Sequence, residues 1–154
     1  MKKFKYIFLT FFAYSCGFKV IDPSSLQSFY ISNITTSGDK RIGYNLKNKL
    51  SIKAKDASKK NISLSIDVKK TKEVKEKNSN NEITKYLIKI DLEVKIDHND
   101  NTVNVFTISE QKDYNVSSQY SQTIVNENQS VKLLSEILVN KILKKISSTN
   151  LNDL

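Results

Sequence analysis

Two runs of alternation near the middle of the chain constrain its fold more than any other feature. Ile62, Leu64, Ile66 and Val68 alternate with Ser63, Ser65, Asp67 and Lys69. Tyr86, Ile88, Ile90, Leu92, Val94 and Ile96 alternate with Lys89, Asp91, Glu93, Lys95 and Asp97, broken locally by Leu87. Successive side chains of a strand point to opposite faces, so each run is a strand with one apolar and one polar face. Strands buried on both faces would be apolar throughout; this sheet is therefore covered on one side only.

The cover has to come from helices, and two are legible. Thr36-Ser37-Gly38-Asp39 breaks a preceding strand and supplies capping residues. Ile42, Leu46 and Leu50 then recur at four-residue spacing, which predicts an amphipathic helix over 39–54 with Arg41, Lys47 and Lys49 facing outward. Near the end, Ile124, Val131, Leu134, Leu138, Ile142 and Ile146 fall at helical steps, with Asn128 filling the gap. Lys141, Lys144 and Lys145 occupy the final turns, where the helix dipole favours positive charge.

The remaining segments complete the sheet. Residues 28–34 read as a first strand, with Tyr30 and Ile34 on one face and Phe29 and Ile31 on the other. A further strand contains Val103, Val105, Phe106 and Ile108, and its change of parity at Val105-Phe106 suggests a bulge. Residues 70–82 are rich in Lys, Glu, Asn and Ser and are expected to form a long exposed hairpin loop. Residues 97–101 form a second turn, while 114–120 either continue the strand or lead into the last helix. Phe29, Tyr30, Tyr44, Tyr86 and Phe106 are expected in the core or at the sheet rim. Tyr114 and Tyr120 are the better candidates for contact with a partner. The order strand, helix, three strands, helix defines an α+β two-layer sandwich: about four strands, mixed or antiparallel, with two helices on one face. The single domain is expected to span 27–147, followed by a frayed tail over 148–154.

The N-terminus has a different character. Lys2, Lys3 and Lys5 precede a short apolar stretch from Tyr6 to Ala13, and Ser15 and Cys16 follow, Cys16 being the only cysteine in 154 residues. This is the layout of a signal peptide. The apolar stretch is far shorter than the roughly 20 residues of a membrane-spanning helix. It resembles a bacterial lipobox, in which cleavage falls between Ser15 and Cys16 and the cysteine receives a diacylglyceryl thioether and an amide-linked fatty acid. Ala13 stands where such motifs usually carry Leu, and Tyr14 is bulkier than the usual neighbour. Residues 1–15 are then signal and 16–26 a lipid-anchored tether, with Asp22-Pro23-Ser24-Ser25 as its turn. Gly17, in place of an Asp that retains many lipoproteins at the inner membrane, resembles the outer-membrane class. Several acyl chains together hold a protein stably, whereas a single myristoyl-like chain does so only marginally.

Cleavage would leave 139 residues and lower the formal charge from +9 to +6. A lone cysteine makes no internal disulfide. The basic excess is almost all lysine, with Arg41 the only arginine, which argues against base and phosphate recognition in nucleic acid. Lipid phosphate is a more available partner for an exported chain. Lys69, Lys70, Lys72, Lys75 and Lys77 are a hypothetical anion- or lipopolysaccharide-binding patch, acting as point charges without fixed geometry. No catalytic set is apparent. His98 is the only histidine, so a zinc site would need carboxylates for its other protein ligands. Asp97, His98 and Asp100 are explained by a polar turn, and Asp91 and Glu93 by the solvent face of a strand. No metal or further cofactor is expected, and the chain reads as a binding protein, not an enzyme.

Cys16-Gly17-Phe18, the helix Arg41-Ile42-Gly43-Tyr44-Asn45-Leu46-Lys47-Asn48-Lys49-Leu50, and Tyr114-Asn115-Val116-Ser117-Ser118-Gln119-Tyr120 together resemble the LPS-assembly lipoprotein family of Gram-negative bacteria, the LptE type. The likeness lies in the order and spacing of these segments over essentially the whole mature chain. It implies an outer-membrane lipoprotein that plugs the lumen of a β-barrel translocon of the LptD type, assists its assembly and contacts lipopolysaccharide in transit. No lipopolysaccharide-contacting residue transfers by motif. The competing reading is an auxiliary lipoprotein of an ABC-type lipid transporter.

Overall fold

A computed structural model describes residues 29–53, 60–98 and 101–149. The signal segment, Cys16, the tether, and residues 150–154 of the expected tail lie outside these residues. The elements follow the order β1 (Phe29–Gly38), α1 (Lys40–Lys53), β2 (Lys60–Lys77), β3 (Ile83–His98), β4 (Asn101–Asn115) and α2 (Tyr120–Ser148). The four strands form one sheet in the order β1-β2-β3-β4, with β1 parallel to β2 and the other pairs antiparallel. Both helices pack on the same face, α1 over β1 and β2, α2 over β4 and β3. This is the expected α+β sandwich with a mixed sheet.

The core lies between the layers. Ile62, Leu64, Ile66 and Val68 of β2 and Ile88, Ile90, Leu92, Val94 and Ile96 of β3 are all buried against Ile42, Leu46 and Leu50 of α1 and Leu134, Leu138 and Ile142 of α2. The junction of β1 with α1 sets the angle of entry. Gly38 has φ +80°, a left-handed conformation natural to glycine, and a Cβ there would lie 2.0 Å from the Val68 carbonyl oxygen. Asp39 then donates its N–H to that same oxygen at 2.9 Å and accepts from the Ile42 N–H at 3.0 Å, capping α1.

Several expectations are corrected. Residues 70–77 belong to a strand, not a loop: β2 continues to Lys77 paired with β3, its register shifting between Val74 and Glu76 and again between Glu76 and Lys77, and β3 pairs with β4 back to Asn115. Backbone pairing on this scale overrides a composition that alone reads as unstructured. The turn is only residues 78–82, where the Asn78 side chain accepts from the N–H groups of Asn80 and Glu82 and Asn81 takes φ 63°. In β1, a register shift between Ile31 and Asn33 leaves Ser32 as an extra residue. Phe29, Ile31 and Ile34 thereby all face the core, which alternation alone had separated. The β4 bulge falls at Val103, opposite Ile96 and Asp97 rather than at Val105-Phe106. From there Phe106 and Ile108 pack on the core and Val105 is half exposed.

Candidate functional site

The lysines singled out from the sequence do not form one patch. Alternation along β2 sends Lys70 and Lys72 to the helix-covered face, while Lys69 lines the outer face with Asp67, Asp91 and Glu93. Lys75 pairs with Asp113 at 2.9 Å, and Lys77 donates to the Asn81 side chain at 2.9 Å. Their location in an exposed loop is therefore corrected, and four of the five are already engaged.

Lys70 and Lys72 converge on a residue that sequence reasoning missed. Glu127, about two turns into α2, accepts from Lys70 at 2.7 Å through Oε1 and from Lys72 at 2.8 Å through Oε2. Tyr114 Oη donates to the same Oε2 at 2.9 Å. The Lys72 ammonium lies 4.3 Å from the centroid of the Tyr86 ring and 5.5 Å from that of Tyr114, and the two rings stack with centroids 5.8 Å apart. Burial works against the Glu127 charge, yet the bonds from Lys70, Lys72 and Tyr114 outweigh it and hold the carboxyl at about 2. Burial likewise opposes the Lys72 charge, and its bonds to Glu127 and Tyr114 raise its pKa above the ordinary lysine value. Tyr114 is pushed up chiefly by burial. The cluster ties the first turns of α2 to the far end of the hairpin. A lone acid on a long helix carried no sequence signal, because its cations lie more than fifty residues away.

Tyr114 is thus a buried packing residue, not a free contact, whereas Tyr120 opens α2 and is 79% exposed. Tyr44, expected in the core or at the rim, is instead 65% exposed. Glycine at 43 brings α1 down on Thr36, and the neighbouring position turns outward. His98 Nδ1 lies 2.6 Å from the Asn61 carbonyl oxygen, bridging the open ends of β2 and β3. Asp91 and Glu93 occupy the outer sheet face as expected, beside Lys89 and Lys95. Among the described residues, no group of three or more His, Cys, Asp or Glu is placed to hold a metal ion. No described helix is long and apolar enough to cross a membrane.

Two concave surfaces, one on each layer, bear on a contact. One lies on the sheet face that no described helix covers, about 380 Å³, lined by Thr35, Ser37, Ser65, Asp67, Glu93 and Lys95. The other, about 390 Å³, lies between the helices, where Arg41, Asn45 and Lys49 of α1 face Val125, Gln129 and Lys132 of α2. Both are open grooves suited to a surface contact.

This sheet-and-two-helix sandwich is an architecture known from small bacterial lipoproteins. A Caulobacter crescentus protein described as a lipoprotein is 13% identical with TM-score 0.60, covering 82% of this chain and 92% of its own. Lipoprotein B of Nitrosomonas europaea is 17% identical with TM-score 0.59, covering 86% and 92%. Rare lipoprotein B of Shewanella oneidensis is 15% identical with TM-score 0.54, covering 78% and 97%. At these identities the likeness establishes a shared fold. No protein-family profile and no curated protein sequence matches the chain.

Proposed function

We propose that this chain is a lipoprotein anchored through Cys16 to the periplasmic side of the outer membrane. There it plugs the LPS-translocating β-barrel, assists its assembly and contacts lipopolysaccharide in transit. It works by binding, without a catalytic step. The observation that carries the reading is the agreement of two independent features. The N-terminal sequence has the layout of a lipidated signal, and the domain behind it has the fold of solved proteins described as lipoproteins, rare lipoprotein B among them. The barrel and lipopolysaccharide rest on the sequence resemblance. An uncovered sheet face of hydroxyls and paired charges suits the polar interior of such a barrel.

The test is extraction of a C-terminally tagged chain from its own membranes in mild detergent, followed by identification of what accompanies it. A large outer-membrane barrel in stoichiometric amount is the expected result. A protein recovered alone sinks the proposal, and recovery with an inner-membrane ABC transporter replaces it by the competing reading.

A further inference from the structure

The two layers carry their charge differently. On the outer sheet face each of four lysines has a carboxylate within reach: Lys75 with Asp113, Lys85 with Glu76, Lys89 with Asp91 and Lys95 with Glu93. The two helices hold nine Lys and Arg against two Glu. Both glutamates are already paired, Glu127 with the sheet lysines and Glu136 with Lys49. Arg41, Lys47, Lys132 and Lys144 have no carboxylate within 4 Å among the described residues. On α1, Arg41 and Lys47 stand three residues to either side of Tyr44, which is 65% exposed on the side opposite Ile42, Leu46 and Leu50, while Ile52, 66% exposed, lies further along beside Lys49. On α2, Val125 and Leu133 stand half exposed on either side of Lys132.

We infer that the outward face of α1 and α2 docks on an anionic phospholipid surface. The charge complementarity is one-sided: among the described residues Lys49 and Lys141 of the helices are paired with Glu136 and Glu110 while Arg41, Lys47, Lys132 and Lys144 have no such carboxylate, whereas the lysines of the opposite face are balanced and would gain little from the same surface. Flexible lysines suit a diffuse layer of phosphates better than a fixed ligand. An exposed tyrosine flanked by two cations matches what an interfacial helix inserts among headgroups. On a membrane surface, before any barrel encloses the domain, the contact holds it helix-side down and leaves the polar sheet face free for a protein partner. It requires neither the barrel nor lipopolysaccharide, so it stands or falls apart from the proposed function.

The experiment uses the full chain with Cys16→Ala, sedimented with vesicles of phosphatidylcholine with or without phosphatidylglycerol. One variant carries Arg41→Gln, Lys47→Gln, Lys132→Gln and Lys144→Gln. A second of equal charge change carries Lys75→Gln, Lys85→Gln, Lys89→Gln and Lys95→Gln. Thermal melts establish that both fold. Binding is expected only to the anionic vesicles and to weaken with salt. At roughly fivefold per cation, it should fall about a hundredfold or more in the helix variant and within about twofold in the sheet variant. Tyr44→Ala should weaken it further. Equal losses in the two variants would show attraction to net charge alone and overturn the docking face. So would equal binding to the uncharged vesicles, or a helix face that binds an acidic protein while ignoring anionic lipid.

Discussion

Glu127 gathers three donors at one carboxylate, and its replacement tests how much the α2 N-terminus depends on them. Glu127→Gln would leave Lys70 and Lys72 facing each other, partly buried, with no negative partner. We expect a loss of about 2 kcal/mol in urea unfolding at neutral pH. Tyr114→Phe keeps the ring stack and removes the hydroxyl that donates to Glu127, at a cost of about 1 kcal/mol. The same carboxylate ties stability to pH. Its pKa is lowered from 4.5 to about 2, so its contribution is complete above pH 4.5 and is lost as pH falls through about 2. Urea midpoints measured across this window should fall less in Glu127→Gln than in the parent. An equal fall would place the acid sensitivity on other carboxylates. None of this was legible beforehand, since the pairing partners are remote in sequence and only the sandwich brings them within 3 Å.

Among the elements, the passage from β1 into α1 is the tightest. Gly38→Ala forces a left-handed residue to carry a Cβ into the Val68 carbonyl. It should cost about 3 kcal/mol or more, read as a drop in the denaturation midpoint. Gly43→Ala meets Thr36 at 3.0 Å, a contact relieved by a small shift of α1, and should cost about 1 kcal/mol. A larger loss at 43 than at 38 would contradict this account of the junction. The capping sequence Ser37-Gly38-Asp39 announced this boundary, and α1 begins within a residue of its expected start. The hairpin shows the opposite case. Lys70 to Lys77 alternates little in polarity because α2 covers only part of its inner face there, so composition read as a loop what the backbone ladder holds as a strand.

At the scale of the whole molecule, the proposed anchor and the proposed docking face act together. Lipidation predicts that labelled palmitate enters the chain in cells and that Cys16→Ser abolishes it; label retained in that variant would remove Cys16 as the attachment point. What the sequence by itself determined is the layer architecture. Alternation at period two and apolar spacing at 3.6 are local properties, and together they require a one-sided sheet with two covering helices. Only the tertiary structure decided which strands neighbour one another, where Ser32 and Val103 shift the register, that Tyr114 is buried, and that, among the described residues, the lysines of the outer sheet face are largely paired while several cations of the helix face are not. The physical reason is that these outcomes depend on contacts between residues distant along the chain, and a periodic pattern states which side of an element is apolar without stating what will meet it.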